Sequence, residues 1–332
     1  MGDKRMWLST GSFFGVWSAR KLKTGFIILI LAVALLIAQG ITIDHYWLAR
    51  MHQSWLIYAG IGYLVIWLLW MVAVFEPPVN YVFQLASSTG CYGVQILLTN
   101  SVLAQLAKDP RYYVNKAAKY DLIVSYHQPW DIPDFAMQLL VDLGYMPPPE
   151  QALKGVLMVL RLVKEHHIGQ IVVHSNLWPQ IPEELREYAS VEPVDTTAIS
   201  PNNSTCLVFD VGYALCGDYR VNHSWVFSHS DGWQDKAKIV NLWQDWWEKY
   251  GRWCRQIHLY DVLSGAGRLA KNRLPGTGRL PLKDLRNILE GSGETTQGAM
   301  DVVLELNPLQ LLINPWSKIR EAISFAQSCF VL

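Results

Sequence analysis

Two long apolar runs near the amino terminus constrain the fold of this chain more than any other feature. They cover residues 26–43 (FIILILAVALLIAQGITI) and 55–75 (WLIYAGIGYLVIWLLWMVAVF), and neither contains a charged residue. Each run is about long enough to cross the hydrocarbon core of a bilayer as a helix. Because soluble helices are rarely so long and so uniformly apolar, the sequence predicts a two-span transmembrane hairpin over residues 24–76.

The distribution of charge around these runs predicts their orientation. Five basic residues precede the first run, whereas the loop at 44–54 has Arg50 as its one firm positive charge. The positive-inside rule then places both termini in the cytoplasm of a two-pass protein of the inner (plasma) membrane. Residues 1–23 are predicted to be a basic interfacial segment.

Small residues in the two runs are candidates for close helix packing, either within the hairpin or between subunits. These residues are Ala34, Ala38, Ala59, Gly60 and Gly62. The runs carry no ionisable side chain, which disfavours an ion-coupled transporter.

The remainder of the chain is predicted to be a connector and an aqueous domain. Residues 77–118 mix apolar and polar side chains and are predicted to form a membrane-proximal helical connector. From 119 to 332, strand-like runs at 120–126, 170–174 and 205–211 alternate with helical spacing at 150–167 and 233–263. This order is typical of parallel strands with helical crossovers. The predicted fold class is an α/β cytoplasmic domain that follows an N-terminal two-helix transmembrane hairpin.

Overall composition narrows the possible partners. The formal net charge is zero, which argues against a protein coated by nucleic acid over its whole surface. The five cysteines are widely spaced and include no Cys-x-x-Cys pair, a pattern that favours reduced thiols over a disulfide framework.

Four isolated polar residues admit a catalytic or metal-binding role as well as an ordinary structural one. His127 and Asp210 end strand-like runs, while His223 and His229 would share one face of a strand because side chains alternate. No HExxH or other established motif supports them. The sequence leaves open whether they form an active site, and it predicts no catalytic residue, cofactor or metal.

A glycine-rich basic segment at 264–285 is the strongest candidate for ligand binding. Glycines let the backbone approach a phosphate, and arginines bind phosphate through two hydrogen bonds. The predicted polyanion-binding residues are Arg268, Lys271, Arg273, Arg279, Lys283 and Arg286. The ligand would be nucleic acid, a nucleotide or anionic lipid headgroups, and the alternative is a solvated loop.

Tryptophans cluster in the helical stretch that precedes this segment. Some of these side chains are predicted to form a partner interface, because tryptophan is a preferred anchor of protein interfaces. The candidates are Trp243, Trp246, Trp247 and Trp253. Their helical spacing is equally typical of a buried core.

The predicted function follows from this architecture. We expect a membrane effector, such as a toxin of bacterial antiviral defence, whose hairpins oligomerise and permeabilise the membrane. The first alternative is a membrane-anchored enzyme acting on a phosphate-bearing substrate, and the second is a structural subunit of a secretion or conjugation complex. Enzymatic activity is left undecided, with a non-enzymatic role favoured. Expected partners are membrane lipids, further copies of the chain or other membrane proteins, and a regulatory protein or nucleic acid at the cytoplasmic domain.

Overall fold

A computed structural model describes most of the chain outside residues 11–78. The described residues are 4–10, 79–129, 141–142, 144, 146–193, 201–202, 205–212, 236–262, 273–291, 300–306, 308–311 and 314–330. They belong to a compact unit formed by Met1–Phe13 and Val79–Leu332.

Eight short strands in this unit form a closed parallel barrel. The strands are β1 (Lys4–Ser9), β2 (Gly93–Leu97), β3 (Ile123–His127), β4 (Ile171–His174), β5 (Ala189–Glu192), β6 (Cys206–Asp210), β7 (Cys254–Leu259) and β8 (Met300–Leu304). Each strand pairs with its neighbours in the sequence, and β1 closes the barrel against β8. Eight parallel strands closed in chain order, with helices between them, constitute a TIM-barrel-like fold.

The helices between the strands are amphipathic. Among the described residues they are α1 (Val79–Ser88), α2 (Asn100–Lys108), α3 (Tyr112–Ala117), α4 (Pro149–His166), α5 (Glu183–Arg186), α6 (Lys236–Tyr250), α7 (Leu285–Gly291) and α8 (Pro315–Phe330). In α4, for example, Val156, Val159, Leu160 and Val163 recur at helical spacing and are buried. The same helix begins at Pro149, a favourable first position, and ends where His167 adopts a left-handed conformation.

The seam between β1 and β8 is held by both polar and apolar contacts. Arg5 Nε donates to Asp301 Oδ1 over 2.7 Å, and the two residues are register partners. Trp7 is buried, and a Cβ atom at Gly93 would lie 2.5 Å from its ring. Glycine at position 93 therefore gives the indole of β1 the room it needs beside β2.

The predicted fold class is wrong. The structure is a closed barrel whose first strand comes before residues 24–76, whereas the prediction was an α/β domain that begins only after a membrane hairpin. Residues 4–9 of the predicted interfacial segment form a barrel strand, and Gly93–Leu97 of the predicted connector form the next one. Strands β3 to β8 lie in the predicted α/β domain. The two predicted spans and their packing residues Ala34, Ala38, Ala59, Gly60 and Gly62 fall outside the described residues.

The predicted membrane localisation is corrected by the same findings. Residues 4–9 of the basic head that set the predicted orientation form a strand, with Trp7 buried in the barrel unit. In the part of the chain that the structure describes, no helix is both long and apolar enough to cross a bilayer. A two-pass arrangement in the inner membrane, with both termini in the cytoplasm, therefore does not stand.

Candidate metal centre

Six polar side chains meet at one end of the barrel because the strands are parallel. Four of them are the last residues of β3 to β6, one lies in β7, and one directly follows β8. They are His127, His174, Glu192, Asp210, His258 and Glu305. The carboxyl ends of parallel barrel strands lie on the same face, which is where TIM-barrel enzymes place their active sites.

Glu192 lies at the middle of this cluster and is buried. Its Oε2 lies 3.0 Å from His127 Nε2 and 3.2 Å from His174 Nε2. Its Oε1 lies 3.4 Å from His258 Nδ1. Burial by itself raises the pKa of Glu192, but the charges of His258 and His174 hold the pKa well below its ordinary value. The side chain is therefore a carboxylate with a different neighbour at each oxygen.

His258 is fully buried, and its ring nitrogens make no hydrogen bond within the described residues. Its Nδ1 lies 3.4 Å from Glu192 Oε1 and 3.5 Å from Glu305 Oε1. Burial lowers the pKa of His258, but the nearby carboxylates of Glu305 and Glu192 outweigh it and raise the pKa to about 9. In the absence of metal the ring is therefore charged and pairs with these two carboxylates, and it would have to release a proton before it could bind a cation.

Asp210 is held by two donors on one oxygen. Its Oδ1 accepts hydrogen bonds from Gly212 N at 2.8 Å and from Tyr260 Oη at 2.7 Å. A Cβ atom at position 212 would collide with the Tyr260 hydroxyl, so glycine is required for this contact. Trp243 Nε1 donates to Val211 O over 2.9 Å and anchors the chain between them.

Gln128 orients the two histidines of β3 and β4. His127 Nδ1 lies 2.6 Å from the Gln128 carbonyl oxygen, and the Gln128 side chain accepts from His174 N at 2.9 Å. Gln128 itself is fully buried. Such secondary contacts fix the ring orientation and tautomer of histidines that bind metals.

The six side chains form three overlapping groups whose ligand atoms lie within 4.8 Å of one another. The groups are His127, His258 and Glu305; His127, His174 and Glu192; and Glu192, Asp210 and His258. Imidazole nitrogen and carboxylate oxygen together are typical ligands of Zn²⁺, Mn²⁺, Co²⁺ and Fe²⁺. The arrangement can therefore bind a divalent cation at the mouth of the barrel.

Of the four residues whose role the sequence left open, the structure brings two into this cluster. His127 and Asp210 belong to it, whereas His223 and His229 lie outside the described residues. Sequence reasoning missed His174, Glu192, His258 and Glu305. Their shared signal is a histidine or an acid near the carboxyl end of a short apolar run.

The glycine-rich basic segment wraps around an internal carboxylate. Asp261 Oδ2 accepts from Gly276 N at 3.0 Å and Gly278 N at 2.8 Å, while Oδ1 accepts from Leu280 N at 3.0 Å and Val262 N at 2.8 Å. Burial raises the pKa of Asp261, and these four hydrogen bonds oppose the rise. Two of the glycine amides that were predicted to approach a phosphate, those of Gly276 and Gly278, are therefore occupied by this aspartate.

The basic side chains of the segment are placed separately. Arg279 and Lys283 are exposed, Arg273 and Arg286 are half-buried, and Arg268 and Lys271 lie outside the described residues. Binding of a polyanion by these six residues stays a prediction.

Three of the four tryptophans proposed as an interface lie inside the protein. Trp243, Trp246 and Trp247 are buried on α6, with ring centroids 6.5, 4.7 and 5.8 Å from that of Phe209 on β6. Trp253 is half-buried, with the Arg252 guanidinium 3.8 Å from its ring centroid. The structure gives the first three a role in attaching α6 to the barrel, and a partner interface stays a prediction that rests on Trp253.

Comparison with known proteins finds solved structures that resemble this chain in fold, but no relatives by sequence. No protein-family model matches the chain, and no curated protein matches it. A xylose isomerase domain protein from Alicyclobacillus acidocaldarius is 14% identical with a TM-score of 0.42, and covers 77% of this chain and 97% of its own. The IOLI protein with a bound zinc atom is 13% identical with a TM-score of 0.47, and covers 77% of this chain and 96% of its own. A D-allulose 3-epimerase from Methylomonas sp. is 10% identical with a TM-score of 0.47, and covers 99% of both chains.

These solved structures include proteins named for sugar chemistry, and a glycoside hydrolase of family 5 from Bacteroides vulgatus is a further one. With TM-scores below 0.5, the likenesses are too low to assign a function to this chain.

The predicted function of a membrane effector or defence toxin is wrong. It required a basic head and a membrane hairpin ahead of a partner-sensing domain, whereas residues 4–9 of that head are the first strand of a closed eight-stranded barrel. At the mouth of that barrel lies a buried cluster of histidines and carboxylates. The expected partners, including a homo-oligomer, remain untested.

Proposed function

We propose that this protein is a divalent-metal-dependent enzyme that acts on a small substrate bearing hydroxyl and carbonyl groups. The observation that carries the proposal is the group formed by Glu192, Asp210 and His258, whose ligand atoms lie within 4.8 Å of one another at the carboxyl end of the barrel. Glu305 lies 3.5 Å from His258 on the same face.

The residues present fit a cation on two grounds. Ligand atoms bound to one cation at about 2.0–2.2 Å lie about 3.0–3.5 Å apart, and His258 Nδ1 lies 3.4 Å from Glu192 Oε1. Both nitrogens of this imidazole are buried without a hydrogen bond among the described residues. Coordination of a cation would give one of these nitrogens a partner.

The cluster offers no strong anion-binding side chain among the described residues. Glu192 pairs only with histidines there, and neither a lysine nor an arginine forms an ion pair with it. A substrate recognised through hydroxyl and carbonyl oxygens needs no such side chain.

Each residue has a distinct role in the proposed reaction. A divalent cation, when bound, would act as a Lewis acid on a carbonyl oxygen of the substrate. Asp210, fixed by Tyr260 and Gly212, holds its ligand oxygen in place. Glu305 has a side chain that is 19% exposed, against 2% for Glu192. Because it is the acid open to an incoming substrate, we assign it the transfer of a proton at the carbon beside the carbonyl, as in an isomerase or epimerase.

Exchange of carbon-bound hydrogen tests this function directly. The full-length protein, stripped with a chelator and reloaded with Mn²⁺ or Co²⁺, is incubated in D₂O with a panel of ketoses and aldoses. We expect metal-dependent incorporation of deuterium beside the carbonyl, measured by NMR, and its loss in Glu305→Gln. His166→Ala, which changes a half-buried histidine near the end of α4, should exchange as the wild type does. Exchange that survives chelation, or is absent across the panel, would contradict the proposal.

A further inference from the structure

We infer that the mouth of the barrel holds two divalent cations rather than one, with Glu192 bridging them. The first site is the one proposed above, with Asp210 and His258. The second site consists of His127, His174 and the other oxygen of Glu192. This inference rests on the proposed function and deepens it, because it changes what the substrate meets.

The two oxygens of Glu192 face different ligands. Oε2 is directed at His127 Nε2 and His174 Nε2, at 3.0 and 3.2 Å, while Oε1 is directed at His258 Nδ1 at 3.4 Å. Each half of the cluster therefore has its own carboxylate oxygen. A carboxylate that presents one oxygen to each of two neighbouring ligand sets has the geometry of a bridging ligand in a two-metal site.

The tautomer of His127 supports a cation beside Oε2. The Gln128 carbonyl oxygen can only accept a hydrogen bond, so His127 Nδ1, 2.6 Å away, carries the hydrogen. Nε2 is then the ring nitrogen that can coordinate a cation, and it lies 3.0 Å from Glu192 Oε2, the spacing of two ligands of one cation. His174 Nε2 is directed at the same oxygen, which adds a second nitrogen ligand at one point.

The supporting residue is shared by both histidines. Gln128 is fully buried, its carbonyl orients the His127 ring, and its side-chain oxygen holds the backbone of His174. A backbone carbonyl that fixes the ring of His127 is a contact typical of histidines that bind a metal.

Counting bound cations tests the inference without reference to activity. The full-length protein is stripped with a chelator, titrated with Co²⁺ and with Zn²⁺, passed through a desalting column, and analysed for metal. We expect two cations per chain in the wild type. His174→Ala should retain one, and Asp210→Asn should also retain one, because each change removes a ligand from a different site.

The spectrum of Co²⁺ distinguishes the two halves. With two Co²⁺ ions bridged by a carboxylate, we expect magnetic coupling that weakens the paramagnetic resonance signal of the fully loaded wild type. The signal per Co²⁺ should return in His174→Ala. Glu192→Gln should lower the affinity at both sites by at least tenfold. His166→Ala is the matched histidine control, and it should bind two cations.

The outcomes separate this inference from the proposed function. One cation per chain, unaffected by His174→Ala and removed by Asp210→Asn, would overturn the second site and leave the first in place. No bound cation at all would overturn both. If His174→Ala does not fold, the stoichiometry and the resonance signal of the wild type decide the question.

Discussion

Individual hydrogen bonds to the candidate ligands fix the positions of their side chains. Gly212 lacks a Cβ atom where one would collide with the Tyr260 hydroxyl, and that hydroxyl donates to Asp210 over 2.7 Å. Glycine 212 and tyrosine 260 thus act together on one carboxylate, although neither is a ligand itself.

Gly212→Ala should therefore lower the affinity for Co²⁺ by about 10–100-fold, since the loss of a contact behind a ligand costs that much. Tyr260→Phe removes the same hydroxyl without a collision and should give a loss of similar size. Both are measured by titration of the metal-free protein. Wild-type affinity in Tyr260→Phe would show that the hydroxyl does not support the site.

Buried thiols give the protein a pH dependence that does not involve the cluster. Burial raises the pKa of Cys91 to about 11 and that of Cys254 to about 12, from an ordinary value of 9.0. Above pH 9 the unfolded chain loses these protons while the folded chain keeps them. Each thiol should then lower the free energy of unfolding by about 1.4 kcal/mol per pH unit between pH 9 and its folded pKa.

Cys254→Ala should reduce the slope of unfolding free energy against pH by the contribution of one thiol. The cavity left by the missing sulfur lowers stability equally at every pH and so does not change that slope. Denaturant unfolding between pH 8 and 10 measures the slope, and Cys91→Ala serves as the matched change on another element. A slope that is the same in the wild type and both variants would refute the prediction.

At the scale of elements, α6 is attached to the barrel through aromatic contacts. The rings of Trp246 and Phe209 have centroids 4.7 Å apart in an edge-to-face arrangement, and Trp246 is buried. We expect Trp246→Ala to lower the free energy of unfolding by about 3–5 kcal/mol, the usual cost of removing a buried aromatic side chain.

Trp253→Ala is the control, because this side chain is half-buried and packs against Arg252. It should cost clearly less in the same denaturant titration. Equal costs for the two changes would show that burial on α6 does not explain the tryptophan cluster.

The sequence predicted the longer elements better than the short strands. The helical spacing of 150–167 corresponds to α4, and the runs at 170–174 and 205–211 correspond to β4 and β6. The helical stretch predicted at 233–263 is helical only in part, because α6 ends at Tyr250 and Cys254–Leu259 is β7. A strand of five or six residues is too short for apolar periodicity to distinguish it from helix.

The candidate site was largely beyond sequence reasoning for a related reason. Its six residues come from six strands between positions 127 and 305, so no local spacing connects them. His258 fell within the helical stretch predicted at 233–263, whereas it lies within β7. Only barrel closure brings the six residues together, and closure is a property of the whole sheet.

At the scale of the whole molecule, the seam between β1 and β8 completes the barrel. The Arg5–Asp301 pair crosses it with side chains that are 32% and 19% exposed. Because solvent screens a pair of this exposure, we expect a coupling energy of about 0.5–1 kcal/mol.

A double-mutant cycle with Arg5→Leu and Asp301→Asn, read by denaturant unfolding, measures that coupling. The exposed pair Lys318–Glu321, which lies within α8, is the comparison and should give less. A coupling of zero at the seam would mean that apolar contacts alone, such as Trp7 against Gly93, hold β1 in place.

The seam also orders events during synthesis. Arg5 and Asp301 are 296 residues apart, which a ribosome needs about 15–60 s to translate. Until β8 emerges, β1 and β7 each have an edge without its final partner, and such edges pair readily with other extended chains. Glu305 follows β8, so its contact with His258 forms only at the end of this interval. The barrel therefore cannot close until most of the chain has been synthesised, and the edges of β1 and β7 lack their final partners until then.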